Sequence, residues 1–268
     1  MTIERAILIA AGRGKRLGAH TEEIPKCMVQ VGARPILGWV WQAFERAGIR
    51  ELVVIRGYRG DVLETFVRDL VPRAVFVDNT EWQTNNILLS LACARRYLDQ
   101  PCLMSYSDII FTPAVARAAV DSPAELGLVI DREFRTIYEG RTEHPLDEGE
   151  VSDLRPDGAV SRVGKRALPP ADAIGEFIGL SRIGAAGMAR VADALDELAA
   201  RYAGRDDQPF QRAARYRNAY LTDLWQHLID GGTRIDPILI DGQWREIDTE
   251  QDLGRARELL ESRPEEWT

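Results

Sequence analysis

Short apolar runs alternate with amphipathic stretches through the first half of the chain. AILIAA (6–11) is a strand-length apolar run that ends in glycines. ILGWVWQAFERAG (36–48) carries apolar residues at helical spacing and stops at a glycine, which predicts a helix. ELVVIRGY (51–58), AVFVDN (74–79), PCLMSYSDIIF (101–111, with its strand ending near Asp108) and ELGLVID (125–131) read as buried strands. DVLETFVRDL (61–70), NNILLSLACARRYL (85–98) and PAVARAAVDS (113–122) read as the helices between them. Strand following helix at this spacing predicts an α/β fold with a mainly parallel sheet.

The pattern changes after Asp131. A polar stretch rich in glycine and proline follows, in which short strands can form a hairpin around the PDG turn at 156–158. GEFIGLSRI (175–183) resumes strand character, MARVADALDELAARY (188–202) is strongly helical, and QDLGRARELLE (251–261) is a last amphipathic helix. The expected organisation is one catalytic domain over 1–268, with 132–172 as an insertion or lid over an active-site mouth.

Composition narrows the classes. With 268 residues, 45% hydrophobic and 28% charged, the chain can bury a substantial core and has no bias toward disorder. A formal net charge of -8 argues against extended nucleic-acid or anionic-membrane binding while leaving room for a local anion pocket. The three cysteines, Cys27, Cys93 and Cys102, are too scattered for a disulfide framework or a paired metal motif, which points to a reducing compartment, the cytoplasm. The start, MTIERAILIAAG, predicts no signal peptide, membrane span or lipid anchor.

The first chemistry lies in AAGRGKRLG. Gly12, Gly14 and Gly18 follow the first strand, where glycines let phosphate oxygens approach backbone N–H groups. Neither common phosphate motif fits: Lys15 is followed by Arg16 rather than Ser or Thr, and Leu17 stands where a dinucleotide loop needs its third glycine. By spacing alone the loop is a phosphate cradle or an ordinary glycine turn. Asp108 closes an apolar strand, where carboxylates of parallel sheets face the ligand crevice. Asn85, Asn86 and Ser90 can meet the polar edges of a base or ribose, or Thr84 or Asn85 can simply cap a helix. His20, His144 and His227 form no cluster in sequence, which argues against zinc.

Taken together, AAGRGKRLG and IPKCMVQVGARPIL resemble the nucleotidyltransferase superfamily that couples nucleoside triphosphates to phosphorylated small molecules. Gly12, Gly14, Arg16, Leu17, Pro25 and Lys26 match its G-x-G-x-R-[LM] and P-K pattern. The resemblance implies a Rossmann-like nucleotidyltransferase fold with a mixed sheet and a small acceptor-side insertion. It implies nucleotide binding by Ala10, Ala11, Gly12 and Gly14, with Arg16 and Lys26 holding the triphosphate. It also implies Mg²⁺ on Asp108 and a late aspartate, Asp248, for which starting the last helix is the structural alternative. Ser107 departs from the family's usual glycine before the metal aspartate. Lys165 resembles a second catalytic lysine directed at the acceptor, with surface exposure as the alternative. DNTEWQTNNILLSLACA (78–94) resembles the branch of choline-phosphate and 2-aminoethylphosphonate cytidylyltransferases, which favours CTP.

The expected acceptor is a small phosphonate or phosphate. For one bearing an amine or quaternary ammonium, Asp131, Tyr138, Glu176 and Phe177 supply acids and aromatic faces. Arg132, Arg135, Arg141 and His144 could instead grip an acceptor anion, Glu143 and Glu150 read equally as acids of the mouth or as solvent-facing, and Asp252 reads as helix surface. A sugar-1-phosphate nucleotidyltransferase and a non-catalytic nucleotide-binding regulatory module are the alternatives, and the sequence leaves a homodimer open.

Overall fold

A computed structural model describes residues 3–267; Met1, Thr2 and Thr268 lie outside the described residues. Among the described residues one nine-stranded sheet dominates. Its strands are β1 (Arg5–Ala10), β2 (Glu51–Arg56), β3 (Val75–Asp78), β4 (Cys102–Tyr106), β5 (Leu126–Asp131), β6 (Glu150–Leu154), β7 (Val160–Lys165), β8 (Gly175–Ile183) and β9 (Asp236–Ile240).

β3, β2, β1 and β4 are parallel neighbours. β8 runs antiparallel to them. Its end, Leu180–Ile183, pairs with β4, its start pairs with β6, and its other edge pairs with β5. β9 then lies parallel to β5. The sheet is therefore mixed and mostly parallel, as the alternating pattern predicts.

The helices are α1 (Ile36–Arg46), α2 (Gly60–Leu70), α3 (Ile87–Cys93), α4 (Pro113–Asp121), α5 (Phe134–Tyr138), α6 (Ala185–Tyr202), α7 (Leu221–Asp230), α8 (Glu250–Ser262) and α9 (Pro264–Trp267). Successive β1 side chains feed opposite faces of the sheet. Ala6, Leu8 and Ala10 join one apolar cluster with Phe44, Leu63 and Phe111, while Ile7 and Ile9 join another with Leu91, Leu195 and Trp225. α3 is shorter than the expected 85–98 helix. Asn86 is extended and its N–H is tied to the Arg217 carbonyl, and the helix gives way to a 3₁₀ turn at Arg95–Tyr97.

In 132–172, the turn after β6 closes with Gly158 N–H donating to the Arg155 carbonyl, and β7 returns as a hairpin. Both strands extend the main sheet through β8. The sequence reading did not specify α7, β9 or the short ribbon that pairs Trp244–Glu246 with Ile109–Phe111.

Candidate active site

The glycine loop leaves β1 and turns at Gly14, whose φ of 75° is a left-handed conformation. A Cβ at Gly14 would stand 2.7 Å from Cβ of Lys26, so the glycine makes room for the lysine stem. Lys26 is buried, and its Nζ stands 2.9 Å from Oδ2 of Asp108 and is bonded to Oδ1 of Asp248. Arg16 is bonded to the other oxygen of Asp248. Loop, strand end and late aspartate thus meet at one point.

The charges there are strongly coupled. Burial opposes ionisation of Lys26, yet Asp108 and Asp248 outweigh it and raise its pKa. Burial likewise pushes Asp248 up, but Lys26, His144 and Arg16 hold its carboxyl well below the usual carboxylate range. Oδ1 of Asp108 is buried with no partner among the described residues. Two aspartates, one with a free oxygen, offer the hard oxygen donors that suit a small divalent cation.

Asp248 is free for this role because Thr249 starts α8. The Thr249 side chain accepts from Asp252 N–H, and the Asp252 carboxylate accepts in return from the Thr249 N–H. Asp252 is therefore not helix surface. It is buried and forms a two-pronged ion pair with the buried Arg141. Arg141 also reaches Glu246, and Nδ1 of His144 lies 3.3 Å from both Glu246 and Asp248. His144, Glu246 and Asp248 present ligand-type atoms within 4.8 Å of one another, a grouping that sequence spacing hides.

A cavity of about 260 Å³ opens over the loop, lined by Ala11, Gly12, Gly14, Arg16 and Lys26 on one side. Trp82, Asn85, Asn86 and Ser90 line the other. Ala10 lies beneath it, buried in β1. Neither Thr84 nor Asn85 caps α3: Asn86 occupies that position without a side-chain cap bond. Asn79, which sequence reading missed, is buried and donates to Oδ1 of Asn85 at 2.8 Å and Oγ of Ser90 at 2.9 Å.

A second cavity, about 310 Å³, adjoins the first; Arg16, Asn86, Ile87, Asp108 and Asp248 line both. Tyr106, Glu150, Lys165, Glu176, Phe177 and Tyr220 form much of the remaining wall. Lys165 sits 3.5 Å from Glu148, with its ammonium 5.1 Å from the centre of the Tyr220 ring. Burial pushes Glu176 up to about 8 and Glu150 up to about 7.

Several expected acceptor groups lie elsewhere. Asp131 is fully buried away from this wall, accepting from Trp244 Nε1 at 2.8 Å and from the Gly242 and Glu133 N–H groups. Tyr138 stands behind Glu176 and donates to its Oε1 at 2.7 Å. Arg132 is paired with Asp241, Arg135 with the carbonyls of Pro170, Ala171 and Ala173, and Arg141 with Asp252; none of the three, nor His144, lines the cavity. Glu150, for which solvent was one of two readings, is buried on the wall, where Tyr106 and Thr222 hydroxyls donate to it. Among the described residues no helix is long and apolar enough to cross a membrane.

A glycine loop after the first strand, two aspartates bridged by one buried lysine, and a mixed sheet of this order define a nucleotidyltransferase. The chain belongs to the family of MobA-like NTP transferase domains, which it matches over residues 6–149. It is 28% identical over 254 residues to a CTP:phosphoglutamine cytidylyltransferase of Campylobacter jejuni, covering 92% of this chain and 97% of that protein. It is 27% identical over 161 residues to a 2-aminoethylphosphonate cytidylyltransferase of Lancefieldella rimae, covering 60% of each. The fold is shared with the inositol-1-phosphate CTP transferase of T. maritima at a TM-score of 0.75 and 19% identity, over 99% of this chain and 98% of that one.

Proposed function

We propose that this enzyme transfers CMP from CTP to a small phosphonate or phosphate acceptor that carries a cationic group, releasing pyrophosphate. The observation that carries this reading is the junction of two cavities at Arg16, Asp108 and Asp248. One cavity has phosphate-cradle chemistry and the other is rich in carboxylates. CTP is favoured because both curated relatives described above are named as cytidylyltransferases, one of them with CTP in its name.

The glycine loop would receive the triphosphate, with Asn85 and Ser90 on the opposite wall in reach of base or ribose. Triphosphate oxygens would give Lys26 and Arg16 new partners and draw them off the aspartates. Asp108 and Asp248 would hold Mg²⁺, which supplies neutralising charge for the triphosphate. Lys165, and the segment 132–172 that carries it with Glu148 and Glu150, would form the acceptor-side wall. An ionised acceptor oxygen attacks the α-phosphorus, the new P–O bond forms as the bond to pyrophosphate breaks, and no proton need move. Lys26 and Arg16 stabilise the charge that builds on the phosphoryl oxygens. The unpaired cysteines and use of CTP fit a cytoplasmic enzyme.

The test is pyrophosphate release by the purified chain with Mg²⁺, each of the four nucleoside triphosphates, and phosphonate, phosphocholine-type and sugar 1-phosphate acceptors. Turnover confined to CTP with a cationic acceptor supports the reading. Turnover only with a sugar phosphate removes the acceptor assignment, and nucleotide binding without turnover on any acceptor removes the catalytic one.

A further inference from the structure

The acceptor cavity has more buried acid than its own cations neutralise. Asp108 and Asp248 are held by Lys26 and Arg16, Glu246 by Arg141, and Glu148 by Lys165 and Arg166. Glu150 and Glu176 remain, both under a tenth exposed and neither in an ion pair among the described residues, although the Lys165 charge acts on Glu150 from beyond ion-pair distance. Both line the cavity, from adjacent antiparallel strands. Buried carboxyls without an ion partner either keep their protons or take positive charge from a ligand.

Neutral hydroxyls hold the two groups in place. Tyr138 donates to Oε1 of Glu176 at 2.7 Å, and Oε2 of the same carboxyl has no partner. Tyr106 donates to Glu150 at 2.9 Å. Gly179 permits that reach: its φ is 87°, and a Cβ there would stand 2.3 Å from the Tyr106 ring, so any side chain would push the tyrosine away. The aromatic faces are partly committed already. Tyr220 carries the Lys165 ammonium, and Tyr106 and Phe177 meet edge to face at 6.0 Å.

An open carboxylate oxygen needs a hydrogen-bond donor as well as a charge. A quaternary ammonium supplies the charge alone, and its natural receptor is a set of free aromatic faces. Resting on the function proposed above, we infer that Glu150 and Glu176 together read an N–H-bearing ammonium on the acceptor and discriminate against a quaternary one. The acceptor is thus an aminoalkyl phosphonate or phosphate, its anionic end toward Arg16 and Lys26 and its ammonium between the two glutamates.

The experiment is a methylation series with CTP, Mg²⁺ and the full chain: phosphoethanolamine, its N-methyl and N,N-dimethyl forms, and phosphocholine, with 2-aminoethylphosphonate and ethylphosphonate as a second pair. The expected result is a fall in kcat/KM of at least about tenfold at the step that removes the last N–H, as for a site built around a substrate donor. In Glu176→Gln and, separately, Glu150→Gln, KM for the ammonium acceptors should rise more than kcat falls, and the preference over phosphocholine should shrink. A merely structural role would lower both acceptors alike and leave their ratio unchanged. Equal or better use of phosphocholine by the wild type overturns the inference while leaving cytidylyl transfer intact. No turnover of any acceptor in the series overturns the proposed function, and the inference with it. The wild-type series stands even if neither variant folds.

Discussion

Nζ of Lys26 stands 2.9 Å from Asp108 while also bonding Asp248, so one buried ammonium ties together two acids separated by most of the chain. A divalent cation held by these two aspartates, as proposed, would compete with Lys26 for the same oxygens. Lys26→Gln should bind Mn²⁺ more tightly than the wild type in the absence of nucleotide, by electron paramagnetic resonance. Its turnover should fall by roughly 10²–10³-fold, the usual cost of removing a preorganised charge donor. Unchanged Mn²⁺ affinity together with near-normal turnover would show that the lysine is only a structural counter-ion.

Gly14→Ala tests the support for that lysine. The alanine must adopt a φ near 75° and its methyl meets the Lys26 stem. A cost of about 1–3 kcal/mol is expected for a non-glycine residue forced into this region. Thermal melting should show the loss, and turnover should drop further than melting alone explains. A variant with both wild-type melting and wild-type turnover would mean the loop does not set the position of Lys26.

The ion pair of Arg141 with Asp252 supports Asp248 from behind. Asp252 also accepts from the Asp248 N–H at 3.1 Å, so Arg141 positions Asp248 through one intermediary. Arg141→Met leaves buried carboxylates unpaired and should cost about 3–5 kcal/mol of stability, read by urea unfolding. A change near zero would indicate that water enters and screens the pair.

Glu176 gives stability a pH dependence. Its pKa rises on folding from the ordinary 4.5 to about 8, through burial, so the folded state holds the proton more tightly than the unfolded chain. This contribution is full below about pH 4.5 and is lost as pH rises through 8. Glu176→Gln keeps the uncharged form at every pH. Its melting temperature should gain on the wild type between pH 6 and 9, by an amount that a pH-independent difference between the two would contradict.

Much of this arrangement was legible in the sequence because it is local. β1, the glycine loop and Lys26 are set by a short run whose apolar pattern and glycine positions carry their own physical reasons. Asn85, Asn86 and Ser90, singled out within one short stretch, line one cavity because a strand end and a helix start fix their spacing. The missed features are long-range. Asp252 read as helix surface and Arg141 as an acceptor-gripping cation because each finds its partner 111 positions away. Glu150 lies in the acidic run DEGE, which looks solvated until β6 joins the sheet and carries its first residue inward. α7 was written in the sequence as well: Leu221, Leu224, Trp225, Leu228 and Ile229 keep helical spacing and all are buried. β9 was obscured by Pro237, tolerable because the strand lies at a sheet edge.

The most direct test of the central claim is pyrophosphate release with Mg²⁺, CTP and 2-aminoethylphosphonate, with product mass read in the same reaction. Pyrophosphate and a CMP-linked acceptor should form in equal amounts, with a strong preference for CTP over the other triphosphates and loss of both products in Asp108→Asn. Product formed equally from all four triphosphates, or undiminished in Asp108→Asn, would contradict it.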